Sequence, residues 1–340
     1  MKRMKMIKMQ KSFLFSAMFV LMLALTTILL TPTLLAEVTL KVGVLPPKGT
    51  TWANTLEALA EEVATATKGE VKFKMYFGAV SGDEPVVLRK IRMGQMSGGV
   101  FTGRTLGDIS GDVRIMEVPF TFYEKRDRAW NALSKLSPIF NEGLKKNKFK
   151  NLGFLEVGQV YLISSKKASN FEELKGLKIW SWDGDLLSNT LIQSMNLVSV
   201  PLALPDVLAS LSTGIIDAAY ASPLAILAMQ WQTKVKYLID FPVTYSIGAF
   251  LVHDSVWNKI PKNYQDIVEE ICKKHIQKAN ELTIKENVEA LQAIKDSKIT
   301  FVNFPAGDIQ QGKKIREDVI SKLKDKLFSA KVVELIAKEI

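Results

Sequence analysis

The side chains that most often carry out chemistry are few in this chain, and their spacing does not form a catalytic or metal-binding pattern. The two histidines, His253 and His275, lie outside any metal-ligand spacing, which argues against a zinc or iron site. The single cysteine, Cys272, has no plausible partner base for a nucleophile within its predicted helix and is typical of a small buried apolar residue. Acidic pairs such as Asp83 and Glu84 are typical of helix caps and exposed helix residues. Because the motifs G-x-S-x-G, H-E-x-x-H and G-x-x-x-x-G-K-S/T are also absent, the sequence predicts no enzyme activity, no metal and no cofactor.

The first 36 residues have the layout of a secretory signal peptide. Basic residues without acidic ones precede an uncharged apolar run at 13–30, and small residues follow as far as Ala36. Cleavage after Ala36 and a periplasmic location are favoured, because Pro32 and Ala36 end the run as a cleavage region does. A retained membrane anchor is the alternative, since the run approaches the roughly 20 residues that span a bilayer.

The net charge of +10 does not indicate a nucleic-acid-binding protein. Five of those charges lie in the leader, which leaves +5 for the remainder of the chain. The remaining lysines are interspersed with acidic residues, whereas a nucleic-acid site needs basic residues clustered on one face. A single cysteine excludes an intrachain disulfide, so the fold must depend on its apolar core. A chain of 340 residues usually exceeds one compact core, which predicts two domains.

Strand and helix patterns alternate along the chain, which predicts the α/β class with parallel sheets and helices on both faces. Residues 39–45 and 71–77 alternate like strands, and residues 53–67 carry one apolar helical stripe. A long helical pattern covers residues 264–296 and could brace two domains. Further strands are predicted at 98–102, 152–156, 161–164, 177–182 and 215–220, and further helices at 84–96, 125–134, 137–147, 184–195 and 308–340.

Short motifs in a fixed order resemble one family of transport receptors. Residues 171–179, FEELKGLKI, are similar to the signature x-eDlkGlKiR. Residues 115–120, IMEVPF, resemble x-v-x-x-lPFlf, and residues 212–217, STGIID, resemble x-tGvvDG. The opening segment 40–96 and the later piece 234–238 follow the same order. The chain is therefore similar, over most of its length after the leader, to the periplasmic receptor (P) subunits of TRAP transporters, the DctP-type solute receptors.

The resemblance implies a periplasmic-binding-protein-like fold, in which two hinged sheets flanked by helices close on one small-molecule ligand. It implies domain I at 37–157 plus 246–285 and domain II at 158–245 plus 286–340, with the long helix running across both. It also implies delivery of the ligand to a small and a large TRAP membrane subunit. A subgroup of the family is thought to work with a tetratricopeptide-repeat lipoprotein as well, and this partner is left open. A secreted sensor or interaction protein on the same fold is the alternative from another functional class.

One departure from the family pattern concerns the ligand. The family normally has an arginine directly after the GlKi motif, where its planar fork holds a ligand carboxylate. Here that position is Trp180, and no arginine occurs between Arg128 and Arg316. Charge-assisted hydrogen bonds of this kind contribute about 1.5–3 kcal/mol each. Loss of the anchor would therefore weaken an organic-acid ligand by about tenfold or more if nothing replaced it.

Aromatic residues occupy much of the region where the resemblance places the ligand. Flat rings give a large contact area at a small entropy cost, which predicts a pocket for an uncharged or hydrophobic ligand. The alternative is an organic acid held by a non-standard anchor, with Trp180 packed in the core. The predicted ligand-facing residues are Trp180, Trp182, Pro201 and Tyr220, with Thr102, Trp52, Tyr245 and Asp183 as further candidates.

Asp183 has two interpretations. If it faces the cleft beside Trp180 and Trp182, it would favour a cationic ligand, to which the two rings would add cation–π contacts. Alternatively, the run Asp183-Gly184-Asp185 is the turn and N-cap of the following helix, and this second interpretation is favoured.

Overall fold

Ten strands form one connected, mixed β-sheet in the computed structural model, which describes Met6 and residues 37–122 and 126–339. The strand order is β2-β1-β3-β9-β4-β7-β5-β6, with β8 pairing to both β4 and β10. The outer strands pair in parallel as predicted, whereas β4 and β9 pair antiparallel with their neighbours. The strands are β1 (Val38–Val44), β2 (Val71–Tyr76), β3 (Gly98–Thr102), β4 (Phe149–Ser164), β5 (Lys178–Ser181), β6 (Val198–Pro201), β7 (Ala218–Ala221), β8 (Tyr237–Ile239), β9 (Thr244–His253) and β10 (Thr300–Val302).

Twelve α-helices flank the sheet within the described ranges 37–122 and 126–339, and three short 3₁₀ helices connect them. The α-helices are α1 (Thr51–Ala66), α2 (Glu84–Arg92), α3 (Gly103–Ile109), α4 (Arg126–Lys146), α5 (Phe171–Leu174), α6 (Leu186–Ser194), α7 (Val207–Thr213), α8 (Pro223–Ala228), α9 (Asp254–Trp257), α10 (Lys262–Lys295), α11 (Ala306–Leu323) and α12 (Ala330–Ile336). The 3₁₀ helices are Gly111–Glu117, Leu204–Asp206 and Trp231–Thr233.

Strand β4 connects two regions of the sheet. Its first part pairs with β9 and belongs to a first sheet region with β1, β2 and β3. Its last residues pair with β7 and β8, in a second sheet region that also contains β5, β6 and β10. The two separate strands predicted at 152–156 and 161–164 are therefore one strand of 16 residues. Irregular register at Gly153 and Gly158 breaks the sequence pattern, because each bulge shifts the alternation of side chains.

The long helix α10 confirms the predicted helical pattern at 264–296 and holds the irregular part of β4. The Asn280 side chain donates to the Phe154 carbonyl and accepts from the Glu156 amide. The Asn287 side chain donates to the Val157 carbonyl at 3.0 Å. A β-carbon at Gly158, whose φ is +102°, would lie 2.8 Å from the Asn287 amide nitrogen. These bonds satisfy the backbone polar groups that the bulges leave unpaired.

Helix α4 is continuous where the sequence predicted a break near Pro138. Proline lacks the N–H that would bond to the carbonyl of Ser134, but both residues are exposed, so water can satisfy that carbonyl. Three buried residues, Leu136, Phe140 and Leu144, continue one apolar stripe past the proline. Burial of this stripe outweighs the loss of one exposed hydrogen bond.

Residues Val38–Ile340 form one compact unit, and the long helix contributes to apolar clusters in both sheet regions. Cys272 and Ile276 pack with Leu56 and Phe250 in one cluster, whereas Ile294 packs in the other. The domain boundaries at 37–157 plus 246–285 and at 158–245 plus 286–340 stay predictions. The predicted signal peptide lies outside the described residues, apart from Met6. Within the described residues, no helix combines the length and apolar character needed to cross a bilayer.

Candidate ligand-binding site

A cleft of about 210 Å³ lies between the two sheet regions, near the carboxyl ends of parallel strands. Its walls come from the loop after β1, the start of α1, the ends of β3, β5 and β7, the middle of β4, and α8 with the turn that follows it. Neither lysine nor arginine occurs among its described lining residues. These residues include Leu45, Pro47, Thr51, Trp52, Glu84, Thr102, Glu156, Val160, Trp180, Trp182, Tyr220, Ala225, Met229, Trp231, Ser246 and Thr283.

Four aromatic rings form one wall of the cleft. Trp180 stacks on Tyr220 with 5.0 Å between ring centroids and also contacts Trp182 and Trp231, each at 5.5 Å. The Trp180 indole N–H donates to the Leu202 carbonyl at 3.1 Å, so its polar group is satisfied. Trp180 is only 3% exposed, whereas Trp182 is half-buried. Trp180 therefore anchors the wall in the core, and Trp182 presents an accessible ring.

The opposite wall is fixed by contacts between α1 and α10. The Trp52 indole N–H donates to the Thr283 hydroxyl at 3.1 Å, and the Thr51 hydroxyl donates to the Glu286 carboxylate. The Thr50 side chain caps α1 by accepting from the Ala53 amide. The orientation of the Trp52 ring in the cleft is thus set by the long helix.

Glu84 is a buried carboxyl group that lines the cleft without a basic partner among the described residues. It is 4% exposed, and it accepts hydrogen bonds from the Thr102 amide at 2.8 Å and the Thr102 hydroxyl at 2.9 Å. Burial raises its pKa to about 7, an effect that the hydrogen bonds from Thr102 and Thr105 only partly offset. Near neutral pH this carboxyl group can therefore either donate or accept a hydrogen bond in the cleft.

Replacing Glu84 by glutamine is expected to remove a pH dependence of the free energy of unfolding. The pKa rises from 4.5 to about 7 on folding, so the folded state binds the proton more tightly. Stability from this group is fully present below pH 4.5 and is lost as the pH rises through about 7, a change of about 3 kcal/mol. Urea denaturation between about pH 4 and about pH 8 measures this change in the free energy of unfolding. The exposed Glu61→Gln variant is the control, and equal pH profiles for wild type and Glu84→Gln would contradict the assignment.

A smaller second chamber of about 110 Å³ adjoins the cleft on the other face of the second sheet region, between β4, β5 and α6. It shares the lining residues Thr102, Val160, Trp182, Tyr220 and Ser246 with the cleft. The remaining lining combines aliphatic side chains with two arginines and two acids. These residues include Leu162, Ile179, Leu187, Leu191, Ile192, Met195, Leu197, Val243, Arg104, Arg114, Glu117 and Asp185.

A buried ion-pair network joins the two sheet regions at the second chamber. The Arg114 guanidinium donates to both Asp185 oxygens at 3.1 and 3.2 Å, and its Nε lies 3.1 Å from Glu117 Oε2. The Ser246 hydroxyl in turn donates to Glu117. Burial alone would lower the pKa of Arg114, but the charges of Asp185 and Glu117 outweigh it and raise the pKa. Burial raises the pKa of Glu117, and Arg114 opposes that effect.

Asp185 has a second role as the N-cap of α6. Its carboxylate accepts from the Leu187 and Ser188 amides, both at 3.1 Å, and from the Ser188 hydroxyl at 2.8 Å. The Tyr220 hydroxyl donates to the Ser188 hydroxyl at 3.1 Å, which extends the network to the aromatic wall. One carboxylate thus caps a helix, balances a buried arginine and positions a cleft residue.

Arg104 lies at the edge of the second chamber and is less fully paired. Its Nη1 is 3.3 Å from Asp108, while its Nε is buried and has no hydrogen-bond partner in the described part of the chain. Its Nη2 lies close to Gly184, where a β-carbon would be only 3.1 Å away. Gly184 has a φ of +72°, so the turn favours glycine for its backbone conformation, and a β-carbon there would also crowd the Arg104 side chain.

A second arginine pair lies beside the cleft. Arg126 donates through Nε to Glu156 Oε1 at 2.7 Å, and a further bond from Nη2 makes the contact bidentate. Tyr245 lies next to this pair, and burial raises the pKa of its hydroxyl. Glu156 lines the cleft, but its charge is already balanced by Arg126.

The structure brings five of the eight predicted residues into the cleft: Trp52, Thr102, Trp180, Trp182 and Tyr220. Pro201, Asp183 and Tyr245 line neither the cleft nor the second chamber. Pro201 is exposed at the end of β6, and Tyr245 is 1% exposed and packs against Phe122. Asp183 is exposed in the turn before α6, where Asp185 rather than Asp183 is the N-cap. The turn interpretation of this segment therefore agrees with the geometry.

Sequence reasoning missed the charged residues around the cleft. It interpreted the pair at 83–84 as caps and exposed residues, and Asp83 does cap α2, but Glu84 points into the cleft. No arginine lies near Trp180 in the sequence, whereas Arg104 from α3 and Arg114 from the 3₁₀ helix Gly111–Glu117 line the chamber that adjoins the cleft. No local signal marks them, because their proximity to β5 depends on strand order. No group of three metal-ligating side chains occurs among the described residues.

A mixed α/β fold with a cleft between two sheet regions is typical of solute receptors, a class of proteins that bind small molecules in such clefts. Residues 42–326 match the DctP family, described as bacterial extracellular solute-binding protein, family 7, and the chain belongs to that family. Members of this family bind solutes as transport receptors and are not enzymes. The predicted receptor fold with its long helix is therefore confirmed.

Relatives support this assignment at low sequence identity. The sialic acid-binding periplasmic protein SiaP of Vibrio cholerae is 21% identical over 282 residues, which cover 79% of this chain and 84% of that protein. A TRAP periplasmic solute-binding protein from Shewanella oneidensis with bound succinate matches with a TM-score of 0.82 at 16% identity, covering 89% of this chain and 99% of its own. A TRAP periplasmic solute-binding protein from Desulfovibrio salexigens with bound orotic acid matches with a TM-score of 0.81 at 19% identity. The match covers 89% of this chain and 98% of that protein. At these identities the structural likeness concerns the fold.

Proposed function

We propose that this protein is the extracytoplasmic receptor of a TRAP-type transporter and captures a small, uncharged and largely apolar ligand in the cleft. The observation that carries the proposal is the four-ring wall of Trp180, Trp182, Tyr220 and Trp231 in a cleft without a basic lining residue among those described. A carboxylate placed there would lose its hydration without gaining an ionic partner. An apolar ligand gains from the burial of its surface against the rings.

The acidic groups of the cleft provide no attraction for an anionic ligand. Glu156 is balanced by Arg126, so it offers no net attraction to an acid. Glu84 is protonated in part near neutral pH and can exchange a hydrogen bond with an uncharged polar group of the ligand. The polar end of the cleft therefore suits a hydroxyl, carbonyl or amide group.

An organic acid is the second candidate, and the relatives favour it. Solved members of the fold hold galacturonate, L-gulonate, succinate or orotic acid, all of which carry a carboxylate. If Trp180 replaces the family's usual arginine, this chain would need another cation to hold the carboxylate of the ligand. Arg104, whose Nε has no partner among the described residues, is the best-placed cation for that role.

The proposed transport role implies which partners the protein has and where it is located. Export by a cleaved leader would place the receptor in the periplasm, where it would deliver its ligand to the small and large TRAP membrane subunits. A tetratricopeptide-repeat lipoprotein is a further proposed partner. A sensor or interaction protein on the same fold would bind its ligand without affecting uptake. Deleting the gene and measuring uptake of the identified ligand distinguishes these roles.

The ligand class is tested by native mass spectrometry of the purified protein, followed by organic extraction. We expect a bound, uncharged, solvent-extractable molecule. The same protein is then titrated calorimetrically with galacturonate, gulonate and succinate. Micromolar binding of one of these acids would replace the first candidate by the second.

Replacing Arg104 by glutamine separates the two candidates in one step. For an apolar ligand the affinity is expected to change by less than about twofold, because no charge pairs with the guanidinium. For an acid held by Arg104, the affinity is expected to fall by about tenfold or more. Calorimetric titration with the extracted ligand measures the difference. Arg92→Gln is the matched control, because Arg92 also contacts the Asp108 segment but is exposed and lines neither cavity.

A further inference from the structure

The second chamber adjoins the cleft, and the proposed function does not yet use it. Its volume of about 110 Å³ corresponds to the liquid share of roughly four water molecules. Thr102, Trp182 and Tyr220 belong to the walls of both spaces. Trp182 is only half-buried, so the boundary between the spaces includes a side chain that is not fixed in the core.

The chemistry of the chamber is apolar despite the charged groups at one side. Arg114 pairs with Asp185 and Glu117, and burial raises the pKa of Glu117, which favours the neutral form of that group. Arg104 lies at the edge of the chamber and pairs with Asp108, so little net charge faces a ligand beside the aliphatic side chains. The opposite side consists of aliphatic side chains from β4, β5 and α6, including Leu162 and Leu191. Water against these side chains has few hydrogen-bond partners, whereas a methylene group loses none.

We propose that the second chamber is a second compartment of the ligand site and takes an aliphatic extension of the ligand held in the cleft. This inference rests on the proposed function, in which the cleft takes an uncharged ligand. The ligand class is thereby narrowed to an elongated molecule, with a flat or polar part against Trp180 and Trp182 and a short alkyl chain beside α6. Each buried methylene group is expected to raise affinity by roughly fourfold until the chamber is full.

Helix α6 offers a variant that fills the chamber and a matched control. Leu191 is half-buried and lines the chamber, so Leu191→Phe places extra volume in it. Leu186 is the first residue of the same helix, is 45% exposed and lines neither cavity, so Leu186→Phe makes the same change outside the chamber. Leu191→Ala enlarges the chamber and serves as the second variant if Leu191→Phe folds poorly.

The test uses phenol, 4-ethylphenol, 4-butylphenol and 4-hexylphenol, which are uncharged at neutral pH, titrated calorimetrically into the full-length protein. In the wild type, affinity is expected to rise with chain length and then level off. In Leu191→Phe, 4-butylphenol is expected to bind at least tenfold more weakly while phenol is unchanged. In Leu191→Ala, the rise is expected to continue to 4-hexylphenol, and Leu186→Phe is expected to match the wild type.

Two results would overturn the inference. Phenol binding without any chain-length dependence, or with the same dependence in wild type and Leu191→Phe, rejects the compartment while leaving the apolar cleft intact. Failure of every phenol to bind rejects the apolar cleft as well. Binding of succinate or galacturonate by the same sample then assigns that failure to the proposed ligand class rather than to inactive protein.

Discussion

Asp185→Ala is expected to destabilise the folded protein by about 3–5 kcal/mol, because it leaves a buried arginine partly uncompensated. Arg114 and Asp185 are each only 4% exposed, so water does not replace the lost carboxylate. The substitution also removes the N-cap of α6, which adds about 1 kcal/mol. Urea denaturation monitored by tryptophan fluorescence measures the effect.

Three comparison variants separate the two contributions of Asp185. Asp185→Asn can keep the cap but loses the charge, so an intermediate loss is expected. The double variant Arg114→Leu/Asp185→Leu is expected to be less destabilised than the sum of its single changes, because Arg114 and Asp185 are removed together. Glu117 also loses its cation, but burial already raises the pKa of Glu117 and favours its neutral form. Asp266→Ala breaks the exposed pair with Lys262 and is expected to cost less than about 1 kcal/mol. A cost for Asp185→Ala as small as that of Asp266→Ala would show that the buried network contributes little.

Trp180→Ala is expected to lower the free energy of unfolding by about 3–5 kcal/mol and to abolish ligand capture. The change removes a side chain that contacts three other rings and a hydrogen bond to the Leu202 carbonyl. Tyr220 and Trp231 would then border a cavity in the core. Denaturation and calorimetric titration of the same preparation measure both effects.

Trp182→Ala is the matched variant for this prediction. Trp182 is half-buried and contacts Trp180 in the same wall. Its removal is therefore expected to weaken ligand binding and to lower the free energy of unfolding by less than Trp180→Ala does. Trp180→Phe is expected to retain most of the stability because a ring remains in the wall. If Trp180→Ala bound ligand normally with unchanged stability, the aromatic wall would be neither a core element nor a ligand surface.

Much of the fold follows from local patterns. Alternation predicted β1 and β2, the cap at Asp83 predicted the start of α2, and an unbroken helical pattern predicted α10 to within two residues at its N-terminus. Local patterns failed where tertiary contacts override them. Two predicted strands are one strand in β4, because Asn280 and Asn287 satisfy the backbone at its bulges.

For the candidate site too, some features were predictable from the sequence and others were not. From the sequence alone came the prediction that Trp180 stands where the family usually has an arginine, and the sequence contains none of the catalytic or metal-ligand motifs that were considered. Only the tertiary structure decided that Glu84 lines the cleft, that Arg104 and Arg114 line the adjoining chamber, and that Arg114 is already paired with Asp185. The physical reason is the distance along the chain over which each feature is set. Residue type and hydrophobic period determine individual helices and strands from neighbouring residues. The charge balance of a cleft depends instead on which strands lie side by side and on which distant side chains are buried together.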